Sequence, residues 1–553
     1  MKNISPLQKA RYAYKPVIPQ LLMKNPSLIE LKKEELLKNE VDERIKNEFA
    51  FTHTTQAVTF KDGKNPQALK PRNVGVLLSG GQAPGGHNVV AGLFDAICES
   101  NPESKLIGFH LGPSGLVNGD YEILTKEIVD SVRNTGGFDI IGCGRTKIET
   151  DEQIEKAVSV IKSLNLDSLV IIGGDDSNTN AAILAEVFKK KEVPCQVIGI
   201  PKTIDGDLKN EYIEASFGFD TATKFYSSVI GSLARDTMSS KKYWNFVKLM
   251  GRSASHIALE CALQIQPNVC LIGEEIKQKG ASLAQVIDHI CDVISKRALN
   301  GENYGLVLIP EGIVEFIPET ANLILELNIN WQEFEKVYES LKNLTEKKAW
   351  LKDRLTLNAF ATLCELPDEI AEQFLALRDP HGNIIVSKIE TEKLFIGMIQ
   401  SRLLKMRANG EYSGHFSPMA FFYGYEGRCV MPSNFDSNYC YALGRTAFLL
   451  IANGLTGYIA TVRNLEQNAE NWICGGIPLT MMMNVEIRKG VPKPVIEKSL
   501  VDLNGKPFLE FAQKRDEWAF NTEYVFTGPI QYFGPSECCD RITRTLQLEK
   551  ARG

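Results

Sequence analysis

The chain has 553 residues, enough to bury a large core and to form more than one domain. Hydrophobic residues make up 44% and charged residues 24%, which is ordinary for a globular protein. The net charge of -6 argues against a general surface for nucleic acid or anionic membrane, so any anion site must be built locally.

Targeting signals are not apparent in the sequence. Residues 1–6 lack the apolar core of a signal peptide, and no uninterrupted apolar stretch is long enough to span a bilayer. The twelve cysteines are scattered, with Cys538-Cys539 as the only close pair and no Cys-x-x-Cys spacing. We therefore expect a cytoplasmic protein with mostly buried thiols, and neither a membrane nor a nucleic acid as partner.

Residues 1–70 are expected to form an N-terminal extension without chemistry of its own. Ser27 and Glu30 have the spacing of a capping box, which predicts the start of a helix. One face of that helix would then carry Leu37, Val41, Ile45 and Phe49. We expect it to pack on the main body or on a partner subunit.

The first glycine-rich loop follows a predicted strand at 73–78. Residues 79–86 contain four glycines, and a helix is predicted from His87. The loop matches neither Gly-x-Gly-x-x-Gly nor a Walker loop. A tight structural turn and a phosphate site therefore remain equal alternatives for this stretch alone.

A second glycine-rich stretch lies at 136–145, after another predicted strand at 105–111. Its glycines flank a short apolar run, and it ends in Arg145. An arginine at the mouth of a glycine turn favours a phosphate contact, since its guanidinium can bind phosphate bidentately. The alternative is a plain surface charge.

The third loop joins the predicted strand 168–172 to a helix and reads Gly-Gly-Asp-Asp at 173–176. A glycine pair lets backbone amides approach a ligand, and the helix N-terminus favours an anion there. Two carboxylates would repel a phosphate unless a divalent metal lies between them. The alternative is that Asp175 and Asp176 only cap the helix.

The fourth loop, 201–207, follows the predicted strand 196–200. Strands and helices that alternate in this way predict a parallel sheet with crossover helices. In such sheets the loops at the strand carboxyl ends meet at the ligand crevice. We expect all four loops to follow strands and to converge there.

A second set of strands is predicted at 244–249, 268–272 and 304–309, and the first leads into Met250-Gly251-Arg252. Helical spacing of apolar residues from about 315 to 405 predicts a helical insertion. The expected fold is α/β: two similar Rossmann-like three-layer domains with parallel sheets facing a shared crevice. Their expected limits are 71–242 and 243–553, with a C-terminal segment that can return to the first domain.

Four motifs together resemble the phosphofructokinase family: Gly80-Gly81-x-Ala83-Pro84-Gly85, Gly173-Gly174-Asp175, Thr203-Ile204-Asp205-x-Asp207 and Met250-Gly251-Arg252. Each motif is weak alone, but they occur in the order of that family, and the resemblance covers about residues 70–550. The chain length, the helical insertion and the loop 425–428 resemble the long pyrophosphate-dependent form of plants and several bacteria.

The resemblance implies a reaction: fructose 6-phosphate and pyrophosphate give fructose 1,6-bisphosphate and phosphate, reversibly and with Mg²⁺, as the first committed step of glycolysis. By resemblance, Asp205 is the base for the sugar 1-hydroxyl and Asp207 supports it. Thr203 contacts the transferring phosphoryl group, with Ile204 beside it in the substrate site. Asp175 is expected to hold Mg²⁺ through water.

The resemblance also assigns the donor and sugar contacts. Gly81 offers its amide to the phosphoryl donor, and Arg145 neutralises that donor. Met250, Gly251 and Arg252 form the sugar-phosphate site.

The far wall of that site is expected to contain Tyr425, Glu426, Gly427 and Arg428, with Arg428 on the 6-phosphate. Lys242 and Tyr243 resemble residues that complete the site of a neighbouring subunit, which implies a homodimer or a larger assembly. One carboxylate should orient the sugar hydroxyls. Glu275 and Glu311 both follow predicted strands, so both remain candidates.

The choice of donor is expected to depend on Asp176 and Lys202, because ATP-dependent relatives have glycine at both positions. Asp176 adds bulk and a negative charge where a nucleotide would lie, and burying that charge uncompensated against a further phosphate costs several kcal/mol. Lys202 supplies a cation for the transferring phosphoryl group. The alternative is a helix cap at Asp176 and a solvent-exposed Lys202.

Three other functions remain open from the sequence. One is an ATP-dependent phosphofructokinase. Another is a non-catalytic regulatory subunit that binds a sugar phosphate, although Asp175, Asp205 and Asp207 are all present. The third is a kinase for lipid or NAD with a similar Gly-Gly-Asp loop, against which the two sugar loops argue.

Overall fold

The computed structural model describes residues 4–36, 41–64, 69–376, 378, 382–488 and 491–526. Two compact units divide these residues. Unit 1 contains the described residues of 1–222 and 426–499, and unit 2 contains those of 223–425 and 500–528. The expected limits at 71–242 and 243–553 differ from this division, since residues 426–499 belong to unit 1.

The described strands, in chain order, are β1 Ile29–Leu36, β2 Gln56–Asp62, β3 Asn73–Leu78, β4 Lys105–Phe109, β5 Tyr121–Leu124, β6 Ser168–Gly173, β7 Gln196–Thr203, β8 Phe217–Gly218, β9 Trp244–Leu249, β10 Val269–Cys270, β11 Gly305–Pro310, β12 Pro418–Tyr423, β13 Tyr458–Arg463, β14 Ile473–Pro478, β15 Met483–Arg488 and β16 Val491–Ile496. The predicted strands at 73–78 and 244–249 are confirmed to the residue as β3 and β9. The strand predicted at 196–200 continues to Thr203.

The described α-helices, in chain order, are α1 Pro6–Tyr12, α2 Glu43–Glu48, α3 Gly86–Ser100, α4 Pro113–Asn118, α5 Lys126–Asp130, α6 Asp151–Ser163, α7 Asp175–Lys190, α8 Phe219–Ser240, α9 His256–Ile265, α10 Gly273–Lys279, α11 Leu283–Leu299, α12 Pro318–Ile329, α13 Trp331–Tyr338, α14 Leu344–Leu351, α15 Leu357–Glu365, α16 Asp368–Ala376, α17 Thr391–Ala408, α18 Asn434–Ala452 and α19 Lys506–Phe520. The helices α12 to α17 confirm the predicted helical insertion.

Unit 1 contains a sheet whose described strands follow the order β1-β2-β14-β13-β7-β6-β3-β4-β5, with β8 paired to β7. The central strands β4, β3, β6, β7 and β13 are parallel, and the outer pairs are antiparallel. Strands β3 and β6 are buried almost throughout, as parallel strands covered by helices on both faces require. The α/β class is confirmed.

The N-terminal prediction was partly wrong. Ser27 lies in a short 3-10 helix, and Glu30 lies in β1, which pairs antiparallel with β2. The pairing of β1 with β2 satisfies the backbone over a longer stretch than a capping box would. Helix α2 begins later, with Asp42 as its N-cap, and its Ile45 packs in the core of unit 1. Leu37, Cys538 and Cys539 lie outside the described residues.

The expectation that all four loops follow strands was also wrong for one of them. Residues 136–145 form turns, and Gly144 makes only an isolated parallel bridge to Ser79. The Gly80 N–H donates to Gly144 O at 2.8 Å. This stretch therefore joins the site by pairing with the end of β3, without a strand of its own.

Unit 2 contains a parallel sheet with the order β10-β11-β9-β12. Its core extends into the insertion, where helices α12 to α17 contribute buried residues such as Phe334, Phe374 and Phe395. Strand β9 occupies an interior position and is buried throughout. Within the described ranges, no helix combines the length and the apolarity that crossing a membrane requires.

Candidate active site

Three neighbouring parallel strands of unit 1 bring their carboxyl ends to one edge. Strand β6 pairs with β3 on one side and β7 on the other, so the loops after them are adjacent. The Ser79 N–H donates to Ile172 O at 2.8 Å, and the Ser177 hydroxyl donates to Ser79 Oγ at 2.7 Å. The sequence-predicted loops at 79–86, 173–176 and 201–207 are thereby placed together.

Three cations converge on the glycine pair after β3. A Cβ added to Gly80 would lie 3.1 Å from Lys202 Nζ. A Cβ added to Gly81 would lie 3.0 Å from Arg428 Nη1 and 3.7 Å from Arg145 Nη2. Gly80 also has a φ of 86°, which disfavours any other residue. The glycines therefore leave room for the cations and expose the loop backbone between them.

Lys202 is buried, with only 6% of its surface exposed. Burial, and then the nearby charge of Arg428, lower the pKa of Lys202 to about 8, although Asp205 and Asp175 partly offset this. The lysine therefore remains mostly charged at neutral pH. The alternative of a solvent-exposed Lys202 is wrong.

The turn after β7 carries two carboxylates, Asp205 and Asp207, close to these cations. Burial raises the pKa of Asp205, and the charges of Arg428, Lys202 and Lys498 oppose that shift. Burial, and then the charges of Asp205 and Asp175, raise the pKa of Asp207 to about 7. No described residue offers a hydrogen-bond donor to the buried Oδ1 of Asp205. This oxygen is therefore available to accept a proton or to contact a metal.

Thr203 organises the turn that carries these acids. The Asp205 N–H donates to Thr203 Oγ1 at 3.0 Å, and the Thr203 side chain also bonds Asp207. Ile204 is buried between them, at 3% exposure. The turn from 203 to 207 is therefore held by its own side chains.

Lys498 is a member of this cluster that sequence reasoning missed. Its Nζ lies 3.4 Å from Asp175 Oδ2. Burial opposes its charge, yet the carboxylates of Asp175, Asp207 and Asp176 raise the pKa of Lys498 above its usual value. Two backbone N–H groups fix the segment: the Ile496 N–H donates to the Thr179 side-chain Oγ1, and the Ser499 N–H donates to the Asp207 backbone O. No glycine motif or strand-to-helix turn marks Lys498 in the sequence.

Asp176 is exposed, and its Oδ1 accepts a hydrogen bond from Lys147 Nζ at 3.0 Å. Helix α7 begins at Asp175 with Gly174 as its N-cap, and no side chain caps it. The helix-capping alternative is therefore wrong. Lys147, which the sequence analysis also missed, gives the charge of Asp176 a counter-ion at the surface.

The loop 425–428 is a short 3-10 helix. Arg428 belongs to unit 1, where its guanidinium approaches Gly81 and lowers the pKa of Lys202. Gly427 is buried, while Tyr425 and Glu426 are exposed. The contact of Arg428 with the 6-phosphate stays a prediction, and the structure places the arginine beside the glycine loop 79–86.

The predicted sugar loops of unit 2 are adjacent to each other. The Glu311 N–H donates to Leu249 O at 2.8 Å, and a Cβ added to Gly312 would lie 1.9 Å from Arg252 O. Gly251 has a φ of 119°, which L side chains rarely adopt. The loop of Met250 and Arg252 therefore packs directly against the turn that carries Glu311.

The Glu275 carboxylate already has two cationic hydrogen-bond partners. Its carboxylate accepts from Arg515 at 2.6 and 2.8 Å and from Lys279 at 2.7 Å. Burial opposes ionisation, but these hydrogen bonds lower the pKa of Glu275. Glu311, at 4% exposure, is the candidate that lies beside the sugar-phosphate loop.

Lys242 and Tyr243 precede β9, whereas Met250 follows it. At about 3.3 Å per residue, the strand separates them by about 20 Å. Lys242 is exposed and Tyr243 is half-buried. Within one chain these two residues therefore lie at the opposite end of the strand from the Met250 loop.

Asp175 and Asp205 fit a magnesium site that uses few protein ligands. No group of three or more His, Cys, Asp or Glu side chains among the described residues has the geometry of a metal site. Mg²⁺ commonly uses one or two carboxylates and takes its other ligands from water and phosphate. Asp175 and the unpartnered oxygen of Asp205 supply donors of that kind.

Comparison with known proteins identifies the family of the chain. Residues 73–358 match the family model "Phosphofructokinase". The chain is 50% identical to the pyrophosphate–fructose 6-phosphate 1-phosphotransferase of Treponema pallidum (strain Nichols), over 99% of this chain and 97% of that protein. It is 49% identical to the protein of the same name from Porphyromonas gingivalis, over 99% of both chains.

A solved structure shares the fold. The crystal structure of a pyrophosphate-dependent phosphofructokinase from Nitrosospira multiformis superposes with a TM-score of 0.54 at 17% identity. The match covers 84% of this chain and 96% of that one. With the family model and the two relatives that match over nearly their whole length, the chain belongs to the phosphofructokinase family.

Proposed function

We propose that the chain transfers a phosphoryl group from pyrophosphate to O1 of fructose 6-phosphate, giving fructose 1,6-bisphosphate and phosphate. The observation that carries this proposal is its similarity, over nearly the full length, to two proteins named for that reaction. The resemblance to the pyrophosphate-dependent family also implies that the reaction is reversible. In glycolysis it is the first committed step.

The donor is bound by the cations around Gly80 and Gly81. Arg145 and Arg428 approach Gly81, and Lys202 lies beside Gly80, so a pyrophosphate on this loop meets three positive charges. Phosphoryl transfer requires chiefly such positioning and neutralisation. Lys202 is the cation that stabilises the leaving phosphate.

Asp205 is the proposed general base. Its turn is fixed by Thr203, and its Oδ1 has no donor among the described residues, so it is available to the sugar 1-hydroxyl. Its raised pKa favours uptake of the proton. Asp207, whose carboxyl is adjacent and itself perturbed, supports the ionised form of Asp205 by holding a proton.

Mg²⁺ is the proposed metal, held by Asp175 through water and by phosphate oxygens. When bound it screens the charge of the phosphates. Lys498 pairs with Asp175 and keeps this carboxylate oriented.

The sugar phosphate is assigned to Met250, Gly251 and Arg252 of unit 2. The contributions of Tyr425, Glu426, Gly427 and Arg428 stay predictions of the resemblance. Glu311 is our candidate for the sugar hydroxyls, because it lies beside the Arg252 loop while Glu275 is engaged by two cations.

Lys242 and Tyr243 are proposed to complete the site of a neighbouring subunit in a homodimer, since in their own chain β9 separates them from Met250. Light scattering tests the dimer. Mixing Lys242→Ala with an Asp205→Ala variant tests sharing of the site, because mixed dimers should regain activity that neither parent has.

The donor assay is the principal experiment. Turnover is measured by coupling fructose 1,6-bisphosphate formation to aldolase, with pyrophosphate or ATP as the sole donor. We expect turnover with pyrophosphate and little with ATP. Equal or better turnover with ATP would replace this proposal by an ATP-dependent enzyme.

The same assay tests the non-catalytic alternative. A purified chain that binds fructose 6-phosphate but is inactive with both donors would be a regulatory subunit. We also propose a cytoplasmic location, which the free thiols of the described cysteines support.

A further inference from the structure

Residues 11–17, the N-terminal strap, contact the start of helix α18 in unit 1. The Arg11 guanidinium donates to Asn434 Oδ1 at 2.7 Å and to Ser437 Oγ at 2.9 Å, and it also bonds Pro432 O. One side chain of the strap is therefore held by three acceptors that lie on α18 or just before it. The planar fork of the guanidinium suits several acceptors at once.

A second anchor lies one turn further along α18. Asn438 Oδ1 accepts both the Tyr14 hydroxyl at 3.0 Å and the Val17 backbone N–H at 2.8 Å. Asn438 is buried, so these hydrogen bonds satisfy an oxygen that has little access to water. The strap is thus fixed to α18 near both of its ends.

A buried asparagine pair joins the strap to two further segments. Asn134 Nδ2 donates to the backbone oxygens of Arg11 at 3.2 Å and Tyr14 at 2.8 Å. Asn134 and Asn88 bond each other twice, at 2.8 and 3.0 Å, and Asn88 Nδ2 also donates to Ser437 O at 3.2 Å. Each asparagine is only 1% exposed. A buried network satisfied in this way favours one arrangement of the segments that it joins.

Each segment joined by this network leads directly to a predicted donor contact. Asn88 lies in the first turn of α3, which follows the loop of Gly81. Asn134 precedes the turn that ends at Arg145, and α18 begins shortly after Arg428. The strap therefore contacts the bases of all three parts of the proposed donor site.

The turn that leads to Arg145 also packs on the chain after Arg428. A Cβ added to Gly136 would lie 2.0 Å from Cys429 O and 2.3 Å from Val430 O. The two segments approach backbone to backbone, so only glycine fits at this position. A shift of the chain after Arg428 would therefore be transmitted to the turn of Arg145.

The donor cations require a restraint because they repel one another. Lys202, Arg145 and Arg428 all approach the Gly80-Gly81 pair. After burial, the charge of Arg428 is the main cause of the lowered pKa of Lys202. Like charges at such distances favour separation of the segments that carry them until an anion binds.

We propose that Arg11 is a positioning residue for the phosphoryl donor, and that the N-terminal strap holds Gly81, Arg145 and Arg428 at the spacing that pyrophosphate requires. Arg11 acts through the segments that it bonds, since its acceptors follow Arg428 in the chain. A misplacement of about 1 Å in a phosphate-binding cation is enough to weaken binding and turnover strongly. The effect on turnover rests on the proposed function, whereas the effect on donor binding does not.

Titration calorimetry with pyrophosphate and Mg²⁺ measures donor binding without turnover. Arg11→Ala should raise Kd for pyrophosphate about tenfold. Lys9→Ala is the matched control, because it removes an exposed cation from the same helix, and it should bind like wild type. Asn434→Ala removes one acceptor of Arg11 at an exposed position and leaves the Ser433 cap of α18 intact. It should therefore fold normally and raise Kd about two- to threefold.

A double-mutant cycle separates positioning from a general loss of stability. In an Arg428→Ala background, Arg11→Ala should raise Kd for pyrophosphate only about twofold further, because the cation that the strap positions is already absent. A further tenfold rise in that background overturns the proposal. So does a wild-type Kd for both Arg11→Ala and Asn434→Ala, or a larger rise in Kd for fructose 6-phosphate than for pyrophosphate.

The outcomes for the proposed function are separate. A chain that is inactive in the coupled assay but shows these Kd ratios would refute the reaction and support the strap. If wild type binds ATP in place of pyrophosphate, the proposed donor is wrong. The strap proposal then predicts the same ratios for ATP, because the strap acts on the cations, and equal Kd values for ATP in wild type and Arg11→Ala would refute it.

Discussion

Arg428 lies against Gly81, with its guanidinium where a side chain at that position would begin. These residues are more than 300 positions apart, yet an added Cβ would stand 3.0 Å from Arg428 Nη1. The donor loop is therefore complete only when the segment after β12 returns to unit 1. This pairing makes Gly81 and Arg428 the first targets for substitution.

Gly81→Ala is expected to raise KM for pyrophosphate about tenfold or more, because the methyl group displaces the Arg428 guanidinium from the donor loop. KM for fructose 6-phosphate should change less. Initial-rate kinetics with each substrate varied separately provide the measurement. Gly397→Ala in α17 is the matched control, since an added Cβ there meets Pro367 Cγ at 3.1 Å, about as close as the contact at Gly81, but outside the site. A larger effect on the sugar KM would instead place Arg428 chiefly on the 6-phosphate.

Lys202 should set an alkaline limit to the reaction. Its pKa of about 8 means that the cation is present below that pH and is lost above it, so kcat/KM for pyrophosphate should fall as pH rises through 8. Lys202→Arg keeps the charge at all working pH values and should move the limit upward. The pH profile of both proteins from 6.5 to 9.5 is the test. An unchanged alkaline limb in Lys202→Arg would assign the limit to another group.

Asp176 and Lys202 are expected to contribute unequally to donor choice. Lys202→Gly should lower kcat/KM for pyrophosphate about 100-fold, because it removes a buried cation from the donor loop. Asp176→Gly should lower it only a few-fold, since Asp176 is exposed and its surface pair with Lys147 has a small energy. Lys147→Ala is the control that removes the counter-ion alone. Unchanged pyrophosphate kinetics in the Asp176→Gly/Lys202→Gly double variant would show that these two residues do not determine the choice of donor.

Lys248 connects the helical insertion to strands β9 and β12. On β9 it donates to Ile389 O at 3.0 Å, lies 3.5 Å from Glu392 Oε2 and stands 4.3 Å over the Phe422 ring of β12. The Lys248 and Glu392 side chains are 4% and 7% exposed. Lys248→Met should therefore destabilise unit 2 by about 3–5 kcal/mol, because Glu392 is left buried without a cation.

Lys248→Met/Glu392→Leu should recover most of that loss, since an apolar pair replaces the ion pair. Thermal inactivation half-lives of the two variants and of wild type measure the effect, with KM for fructose 6-phosphate recorded alongside. Equal half-lives for the single and double variants would show that the charge of Glu392 is not the cause of the loss.

The sequence predicted those elements whose signals are local. Strands β3 and β9 are short apolar runs bounded by turns, and the structure reproduces both. The loops after β3, β6 and β7 were expected to meet because parallel strands share one edge, and they do. Gly80 and Gly251, both in glycine-bearing turns that follow strands, have a positive φ.

At other positions the structure depends on contacts between residues that are far apart in the sequence, and these were not predicted. Glu30 carries a helix signal, but β1 gains a neighbour in β2 about 30 residues further on, and that pairing decides its conformation. Lys498 reaches Asp175 only because the backbone of Ile496 bonds Thr179. Lys147, in the loop before α6, reaches Asp176 in the first turn of α7. No local pattern in one sequence encodes contacts of this kind.

The order of strands in the unit 1 sheet has a consequence for biosynthesis. Strands β13 and β14, at 458–478, lie between β7 and β2, although unit 2 is encoded between them and β7. A ribosome that has released residues 1–222 has therefore made a sheet that lacks two of its interior strands, β13 and β14, and a site that lacks Arg428 and Lys498. Until β13 and β14 have been synthesised, the sheet of unit 1 is incomplete and has unpaired hydrophobic strand edges. We expect nascent chains truncated before β14 to depend on chaperones and to be sensitive to protease.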